Sequence, residues 1–349
     1  MAGKTAIGLD IGTSVVRAVE LSYGRGGITL ERFGQVVLPE GAIRDGEVVD
    51  IEATSQCLRQ LWKATGFSHH RVVIGVANQR VIVRQLDLPW MEREELRESL
   101  AFQVQDYLPI DANQAVLDFF PLEELTDSAG ARKLRGLLVA ASRDTVLANV
   151  RCAEKAGLDV VSVDLTSFAV LRALGKQSHA EVETEALIDV GARVTNIVVY
   201  SGGLPRFVRI LLMGGQDVTD AIAERLGVPL GHAEAMKQQV AFAPPTEETA
   251  AVSRVVDAVS QEFVDEVRGS LDYYAASNPG APVERILISG GGSRLAGLVP
   301  RLGAATRVPV VAGDPMANLR IGRTGLDDSQ LDFVKPLAAV PVGLALGAI

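Results

Sequence analysis

Two short segments of the sequence place a glycine two residues after an aspartate, between runs of β-branched residues. The first contains Asp10 and Gly12, and the second contains Asp189 and Gly191. An aspartate at a strand end can hold Mg²⁺ through water, because Mg²⁺ gives up its hydration shell reluctantly. The glycine lets backbone amides approach phosphate oxygens. The pattern predicts phosphate and metal chemistry at both places, although a plain hairpin turn would explain either segment alone.

The two segments are equivalent to each other over eleven residues. Residues 9–19 and 188–198 share one order: apolar strand, Asp, apolar residue, Gly, small residue and a second β-branched strand. The offset is about half of the 349-residue chain. Such a repeat predicts two lobes whose turns face each other across a cleft. Thr13 and Ser14 would add hydroxyl donors at the first turn.

A third candidate is the loop Gly290-Gly291-Gly292-Ser293, which follows a buried-strand pattern and precedes a helical one. Such a loop is compatible with a phosphate or a nucleoside, and alone it is equally compatible with an ordinary turn. It is not the Gly-x-Gly-x-x-Gly fingerprint of dinucleotide-binding proteins. Glu234 and Lys237 stand three residues apart on a predicted helix, and by themselves they are typical of a solvated ion pair.

The composition narrows the possible classes of function. The net charge is −9 and no cluster of Lys and Arg is present, so a nucleic-acid partner is not expected. Cys57, Cys152 and the four histidines match neither a disulfide framework nor a metal site, which indicates a reducing cytosol. Residues 336–349 form the longest apolar run, shorter than the ~20 residues of a membrane span. We therefore expect a cytoplasmic protein that could work beside a membrane through partners.

Short β-branched runs alternate with helical patterns along the chain, which predicts an α/β protein. Residues 51–65 have helical spacing, and residues 71–76 resemble a buried strand. Residues 84–159 read as β-α-β-β-α-β, which predicts a compact inserted subdomain. Strand–turn–strand returns at residues 186–200, and helices then dominate until a strand at 286–289.

Together, these motifs resemble the superfamily of actin, Hsp70 and sugar-kinase ATPases. More narrowly, segments 6–12, 88–89, 107–109, 156–158 and 213–219 resemble the PilM family of type IV pilus assembly, which is related to the division protein FtsA. The resemblance implies a two-lobed actin-like fold, a duplicated ribonuclease H-like unit, with an FtsA-style insertion. The implied subdomains are a first lobe (1–83, 160–184 and 335–349), an insertion (84–159), a second lobe (185–217 and 285–334) and a helical subdomain (218–284).

The resemblance also implies that the cleft binds Mg-ATP, with nucleotide acting as a conformational ligand. Asp10 and Asp189 would hold Mg²⁺ indirectly, through water. The implied nucleotide ligands are Asp10, Gly12, Thr13 and Ser14 in the first lobe, Asp189, Gly191 and Thr195 in the second, and Gly290, Gly291, Gly292, Ser293, Glu234 and Lys237 around the nucleoside. No residue identifies itself as orienting a hydrolytic water, so we expect binding with weak or absent hydrolysis.

The family implies one main partner and leaves several functions open. The partner is the short N-terminal cytoplasmic peptide of a PilN-like inner-membrane protein, bound between the first lobe and the insertion. It would hold the chain at the inner face of the membrane, and self-association is a further option. Alternatives are an FtsA-like division scaffold, a sugar-kinase-type phosphotransferase, and a scaffold that has lost nucleotide binding. Residues 344–349 fit core packing better than the membrane-targeting helix of an FtsA-like scaffold.

The sequence also departs from its relatives at two places. Ala192 and Arg193 occupy the second turn, where kinase and Hsp70 relatives favour a hydroxyl. In the inserted helix, residues 102–105 lack the glutamate that relatives usually carry.

Overall fold

The computed structural model describes residues 4–175, 182–242, 246–247 and 249–348. The strands are β1 (Lys4–Ile11), β2 (Val15–Gly24), β3 (Gly27–Val37), β4 (Ile43–Arg44), β5 (Glu47–Val48), β6 (Arg71–Val76), β7 (Val81–Pro89), β8 (Ala115–Thr126), β9 (Arg132–Ser142), β10 (Asp159–Leu165), β11 (Thr184–Val190), β12 (Thr195–Ser201), β13 (Leu204–Leu211), β14 (Arg285–Ser289), β15 (Val310–Ala312) and β16 (Arg320–Ile321). The helices are α1 (Ile51–Thr65), α2 (Arg93–Val104), α3 (Arg143–Lys155), α4 (Thr166–Leu174), α5 (Gly215–Leu226), α6 (Leu230–Phe242), α7 (Ala250–Ser277), α8 (Leu298–Thr306), α9 (Asp328–Val334) and α10 (Ala339–Leu346). The predicted subdomain ranges also include residues 1–3, 176–181, 243–245, 248 and 349, which lie outside the described residues.

Each lobe is built on a sheet of the same topology. The first-lobe sheet has the order β10-β6-β1-β2-β3-β16, and the second-lobe sheet has the order β13-β12-β11-β14-β15. In both, three antiparallel strands come first in the chain, and two later strands add in parallel beside the first of the three. This repeated topology confirms the duplication and the two-lobed α/β fold that the sequence predicts.

The insertion is smaller than the sequence predicts. Its sheet has the order β7-β9-β8, and α2 packs on that sheet through a separate small core that contains Leu96, Leu100 and Leu138. The element order β-α-β-β-α-β is present across residues 81–165. However, β10 pairs in parallel with β6 of the first-lobe sheet, and α3 supplies the crossover that a parallel pair requires. Residues 143–159 therefore belong with the first lobe, which corrects the expected extent of 84–159.

A second correction concerns residues 320–321, which the sequence assigns to the second lobe. They form β16, which pairs with β3 at the edge of the first-lobe sheet. Helix α7 lies within the range implied for the helical subdomain, 218–284. Its apolar face, from Val252 to Tyr274, is buried in a core that it shares with strands of the second sheet.

The helix α10 returns the chain to the first lobe and packs between β1 and α4. Leu344 and Ala345 have no exposed surface, which confirms the predicted core packing for that part of residues 344–349. The backbones are very close, because a Cβ atom on Gly343 would lie 1.8 Å from the carbonyl oxygen of Ala169 in α4. In the described part of the chain, we find no helix that combines the length and apolar character needed to cross a membrane.

Candidate functional site

A cavity of about 1050 Å³, here named the interlobe cleft, lies between the two lobes. Its volume is at the upper end of the range for small-molecule sites. Both predicted turns line the cleft, as do the first three residues of the glycine loop and the α6 pair: Asp10, Gly12, Thr13, Ser14, Asp189, Gly191, Gly290, Gly291, Gly292, Glu234 and Lys237. The fold therefore brings together residues that lie far apart in the sequence, such as Asp10 and Gly290.

Asp10 lies at the end of β1, and Arg17 lies opposite it on β2 in the antiparallel register. Nη1 of Arg17 is 4.0 Å from Oδ2 of Asp10. Burial raises the pKa of Asp10 to about 6, although Arg17 lowers it, and the charge of Asp189 adds to the rise. Asp10 is therefore a carboxylate whose negative charge is only partly balanced by the protein.

Asp189 holds the equivalent place in the second lobe. It is largely buried, and the Ser289 hydroxyl on β14 donates a hydrogen bond to its Oδ1 at 2.8 Å. Burial raises the pKa of Asp189, while the hydrogen bond from Ser289 and the charge of Arg17 act in the opposite direction. The charge of Arg17 thus lowers the pKa of both aspartates, although they belong to opposite lobes.

The two aspartates fit a divalent cation that is held through water. A hydrated Mg²⁺ typically uses one or two protein carboxylates and takes its other ligands from water and phosphate. No cluster of three or more His, Cys, Asp or Glu side chains arranged for a metal occurs among the described residues. Two carboxylates with raised pKa values, one buried and one partly buried, are consistent with a cation that arrives together with a phosphate ligand. Asp10 and Asp189 would hold such a cation, whose charge would neutralise that of the phosphates.

The backbone at each turn offers free hydrogen-bond donors. Within the described chain, the amide nitrogens of Thr13 and Ser14 have no protein acceptor, and the same holds for Ala192 and Arg193. At the second turn, Gly191 N–H donates to the carbonyl of Val194 at 3.0 Å and closes the hairpin around these donors. Successive free amides in a turn form a concave anion site.

The glycine loop packs directly against the second turn. Gly290 has φ +83°, and a Cβ atom at this residue would lie 2.3 Å from the carbonyl oxygen of Val190. Only glycine combines this left-handed backbone with such a close approach. Ser293 does not line the cleft, and its hydroxyl donates to the carbonyl of Gly290 at 2.7 Å.

Thr195 is the other predicted ligand that does not line the cleft. Its side chain is completely buried, and its hydroxyl donates to the carbonyl of Met213 at 2.7 Å. Side chains alternate between the two faces of a strand, and at the start of β12 this side chain faces the interior. Thr195 therefore fastens the second turn to the segment before α5, which corrects its expected role as a ligand.

Glu234 and Lys237 form part of a network that joins α6 to α5. Lys237 Nζ lies 2.6 Å from Oε2 of Glu234 and donates to the carbonyl of Gly215 at 2.8 Å. Thr219 Oγ1 donates to the same glutamate oxygen at 2.6 Å. Burial works to raise the pKa of Glu234, but the hydrogen bonds from Lys237 and Thr219 hold it below its usual value. The pair is a half-buried network rather than the solvated ion pair that spacing alone would indicate.

A comparison with protein families shows to which family this chain belongs. The family model described as "Type IV pilus assembly protein PilM" matches residues 8–349. The chain belongs to the PilM family. A solved structure titled "PilM-PilN type IV pilus biogenesis complex" contains a chain with 27% identity and a TM-score of 0.87, with 98% of each chain covered. This PilM-family chain therefore shares its whole architecture with that relative.

More distant relatives agree on the superfamily. FtsA of Bacillus subtilis (strain 168) is 25% identical over 262 residues, which cover 68% of this chain and 58% of FtsA. FtsA of Pseudomonas aeruginosa is 27% identical over 262 residues, which cover 69% of this chain and 62% of FtsA. The match thus spans about three fifths of the length of these division proteins. MreB5 of Spiroplasma citri, solved with ADP, shares the fold alone, with 13% identity and a TM-score of 0.53 over 99% of this chain and 96% of MreB5.

Two of the arginines that line the cleft, Arg17 and Arg294, are not among the ligands that the sequence predicts. Arg17 could have been found, because a hairpin that turns at Gly12 places it opposite Asp10. No sequence pattern predicts the position of Arg294, because this residue follows an irregular loop. Its guanidinium carbon lies 4.1 Å from the ring centroid of Phe333. Burial and the charge of Arg17 both lower the pKa of Arg294, so two cations from opposite lobes face the same cavity.

The Glu234–Lys237 network supports a stability prediction. Lys237→Met should lower the free energy of unfolding by about 1–3 kcal/mol, because it leaves a half-buried carboxylate and a carbonyl without their charged donor. Lys155→Met is the matched control, because Lys155 pairs with Glu52 at 2.6 Å while both side chains are about half exposed. We expect that control to leave the stability nearly unchanged, because exposed ion pairs contribute little. Equal losses in urea unfolding would contradict the prediction.

Proposed function

We propose that this protein is an ATP-binding component of the type IV pilus assembly platform at the inner face of the cytoplasmic membrane. In this role it binds Mg-ATP in the interlobe cleft and the N-terminal cytoplasmic peptide of a PilN-like membrane protein. The observation that carries the proposal is the full-length match to the PilM family, together with the relative that is solved as a PilM-PilN complex. Recruitment to the membrane would then depend on the partner.

The charges and donors of the cleft support nucleotide as its ligand. Arg17 and Arg294 supply positive charge, and the free amides of the two turns supply donors that suit phosphate oxygens. The two aspartates supply the complementary site for Mg²⁺. This combination favours a polyphosphate that carries its own metal over a neutral sugar or a nucleic acid.

The position of these groups explains how nucleotide would act as a conformational ligand. Asp10 and Arg17 belong to the first lobe, while Asp189 and Arg294 belong to the second. A ligand that contacts both sets is bound more tightly when the lobes are close, so it shifts the population towards the closed arrangement. The lobes already meet beneath the cleft, where the Ser167 hydroxyl of α4 donates to Oδ1 of Asn196 on β12 at 2.7 Å. Nucleotide binding without turnover is sufficient for this role.

The junction between the insertion and the first lobe supports the expected peptide site. Phe102, Tyr107 and Phe120 of the insertion are substantially exposed, and Phe102 is the most exposed of them at 82%. The ring of Phe120 lies 5.6 Å from that of Phe168 in α4, centroid to centroid. Phe120 is therefore an exposed aromatic residue at this junction, and such a residue suits an apolar peptide segment, because it buries large surface with little loss of side-chain entropy.

The similarity to FtsA supports one second candidate, a scaffold that binds the membrane directly. The burial of α10 argues against that helix as the membrane-binding element. Flotation with vesicles that contain anionic lipids would separate the two candidates. A protein that floats without any PilN-type peptide would favour the scaffold.

The main experiment is a calorimetric titration of a synthetic PilN-type N-terminal peptide into the protein, with and without Mg-ATP. We expect saturable binding of one peptide per chain and an affinity that changes with nucleotide, since both ligands contact the first lobe. A peptide of the same composition in scrambled order is the control. The Asp10→Ala variant should still bind the peptide but lose the effect of ATP. Failure to bind the peptide in both conditions would refute the proposed partner.

A further inference from the structure

The turn between β11 and β12 carries an arginine, Arg193, at a place where it can meet a ligand. Its guanidinium donates to Oδ1 of Asp217 at 2.9 Å and also to Asp220, both on α5. Arg193 and Asp220 line the interlobe cleft, whereas Asp217 does not. The arginine side chain is about one-third exposed. Its own amide is among the free donors of the second turn, so its guanidinium starts within side-chain reach of the proposed phosphate position.

The two carboxylates do not depend on Arg193 for their hydrogen bonds. Oδ2 of Asp217 accepts from the amide of Gly214 at 2.7 Å, at the start of α5. Oδ1 of Asp220 accepts from the Gln216 side-chain amide at 2.9 Å. If the guanidinium turned away, each carboxylate would keep a donor, and Asp220 would also gain water. The free-energy cost of moving Arg193 away is therefore low, because neither carboxylate is left without a hydrogen-bond donor.

The helix that carries the two aspartates is fixed independently of Arg193. The amides of Gly215 and Gln216 donate to the carbonyls of Gly191 and Ala192 at 3.0 and 2.7 Å. The turn and the start of α5 are thus joined through the backbone, and the arginine is the member of the cluster that is free to change partners. A guanidinium can bind phosphate through two parallel hydrogen bonds, which gives it a strong alternative to the aspartates.

We propose that Arg193 exchanges Asp217 and Asp220 for the terminal phosphate of a bound nucleoside triphosphate, and that it sets the preference for triphosphate over diphosphate. This inference rests on the proposed binding of nucleotide in the interlobe cleft. The aspartates that hold the guanidinium compete with phosphate for it. Asp220 also places a negative charge on the cavity wall, and this charge opposes a polyphosphate more strongly once Arg193 no longer pairs with it. The affinity for the triphosphate then depends on how much more strongly the guanidinium binds phosphate than it binds Asp217 and Asp220.

Two variants with opposite expected effects test the exchange, measured as the dissociation constants for Mg-ATP and Mg-ADP by calorimetry. Arg193→Gln should weaken Mg-ATP binding about tenfold and Mg-ADP binding much less. Asp220→Asn should tighten Mg-ATP binding several-fold, because it removes the competing charge; a misfolded variant would not gain affinity. Arg209→Gln is the control, because Arg209 is another second-lobe arginine that pairs with Glu266 at 3.5 Å and does not line the cleft. It should leave both constants unchanged.

The outcomes separate this inference from the proposed function. The exchange is refuted if the unmodified protein binds Mg-ATP and the dissociation constants of Arg193→Gln and Asp220→Asn both lie within twofold of its value. Arg193 would then serve only to connect the turn to α5. Equal losses for Mg-ATP and Mg-ADP in Arg193→Gln would refute the role in discrimination. If the unmodified protein binds neither nucleotide, the proposed function fails in its nucleotide part and the exchange fails with it.

Discussion

Asp10→Asn is expected to abolish most of the stabilisation by Mg-ATP and, at the same time, to make the unliganded protein more stable at pH 8. The first effect follows from the loss of a charged group that would hold Mg²⁺. Wild-type protein at a ligand concentration a hundredfold above the dissociation constant should gain about 2.7 kcal/mol from ligand, and the variant should gain little. The second effect follows because the variant no longer buries a charge that the protein balances only in part.

The pH dependence of the second effect has a definite sign. The pKa of Asp10 is raised from 3.8 to about 6 in the folded protein, so the native state binds the proton more tightly than the unfolded state. The charged form therefore lowers stability by up to about 3 kcal/mol above pH 6, and this penalty disappears as the pH falls towards 4. The advantage of Asp10→Asn should be largest at pH 7–8 and absent near pH 4.

Urea unfolding between pH 4 and pH 8, with and without Mg-ATP, measures both effects. Asp159→Asn is the control, because Asp159 is 68% exposed and lies 3.7 Å from Arg71 at the surface. That variant should follow the wild type at every pH. A destabilised Asp10→Asn protein at pH 8 would show that the Asp10–Arg17 pair is worth more than the burial of Asp10 costs. Undiminished stabilisation by Mg-ATP would remove Asp10 from the site.

Gly343→Ala is expected to lower the free energy of unfolding by at least about 3 kcal/mol. The new methyl group would lie 1.8 Å from the carbonyl oxygen of Ala169, and the next nearest atoms also belong to the α4 backbone. Helix α10 or α4 must therefore move away, and the completely buried Leu344 and Ala345 lose packing contacts when it does. A flexible side chain could yield at little cost, but a helix backbone cannot.

Gly269→Ala in the middle of α7 is the matched control. It is also a helical glycine, but apart from its chain neighbours and the nearby backbone of its own helix, a Cβ atom at this residue would have no atom within 4 Å. Alanine should stabilise this helix by about 0.5–1 kcal/mol. Urea unfolding should thus show shifts of opposite sign for the same chemical change. A stability within about 1 kcal/mol of wild type for Gly343→Ala would mean that the two helices can separate at low cost.

Local patterns were enough to predict the turns and the duplicated sheets. The segments around Asp10 and Asp189 each carry strand, turn and strand within a short stretch of sequence, so the pairing of each hairpin follows from neighbouring residues. Their repetition at half the chain length then implies the second lobe. Helix α1 and strand β6 were also predicted at their observed bounds. In both, a regular pattern of apolar residues ends shortly before a residue that favours a turn.

Features that depend on long-range pairing were not predictable in the same way. The sequence of β10 does not show whether this strand joins the sheet of the insertion or the first-lobe sheet. Its pairing with β6 depends on contacts between residues that are far apart in the sequence. Thr195 and Ser293 have suitable side chains near the cleft, yet their hydroxyls are used by the carbonyls of Met213 and Gly290. Residue type indicates what a side chain can bind, whereas the surrounding backbone decides whether it is free to do so.

The return of α10 to the first lobe has a consequence for the order in which this chain can fold during translation. Tyr23 on β2 donates to the carbonyl of Ala345 at 2.9 Å, across 322 positions of sequence. The face of the β1–β2–β6 sheet that α10 covers therefore stays open until residues 339–346 have left the ribosome, while the second lobe, from β11 to β15, can close earlier. We expect arrested nascent chains that stop before residue 339 to be cleaved by protease in the first lobe and protected in the second. The half of the protein that is synthesised first would be the last to become native, and a chaperone would have to protect its exposed sheet in the interval.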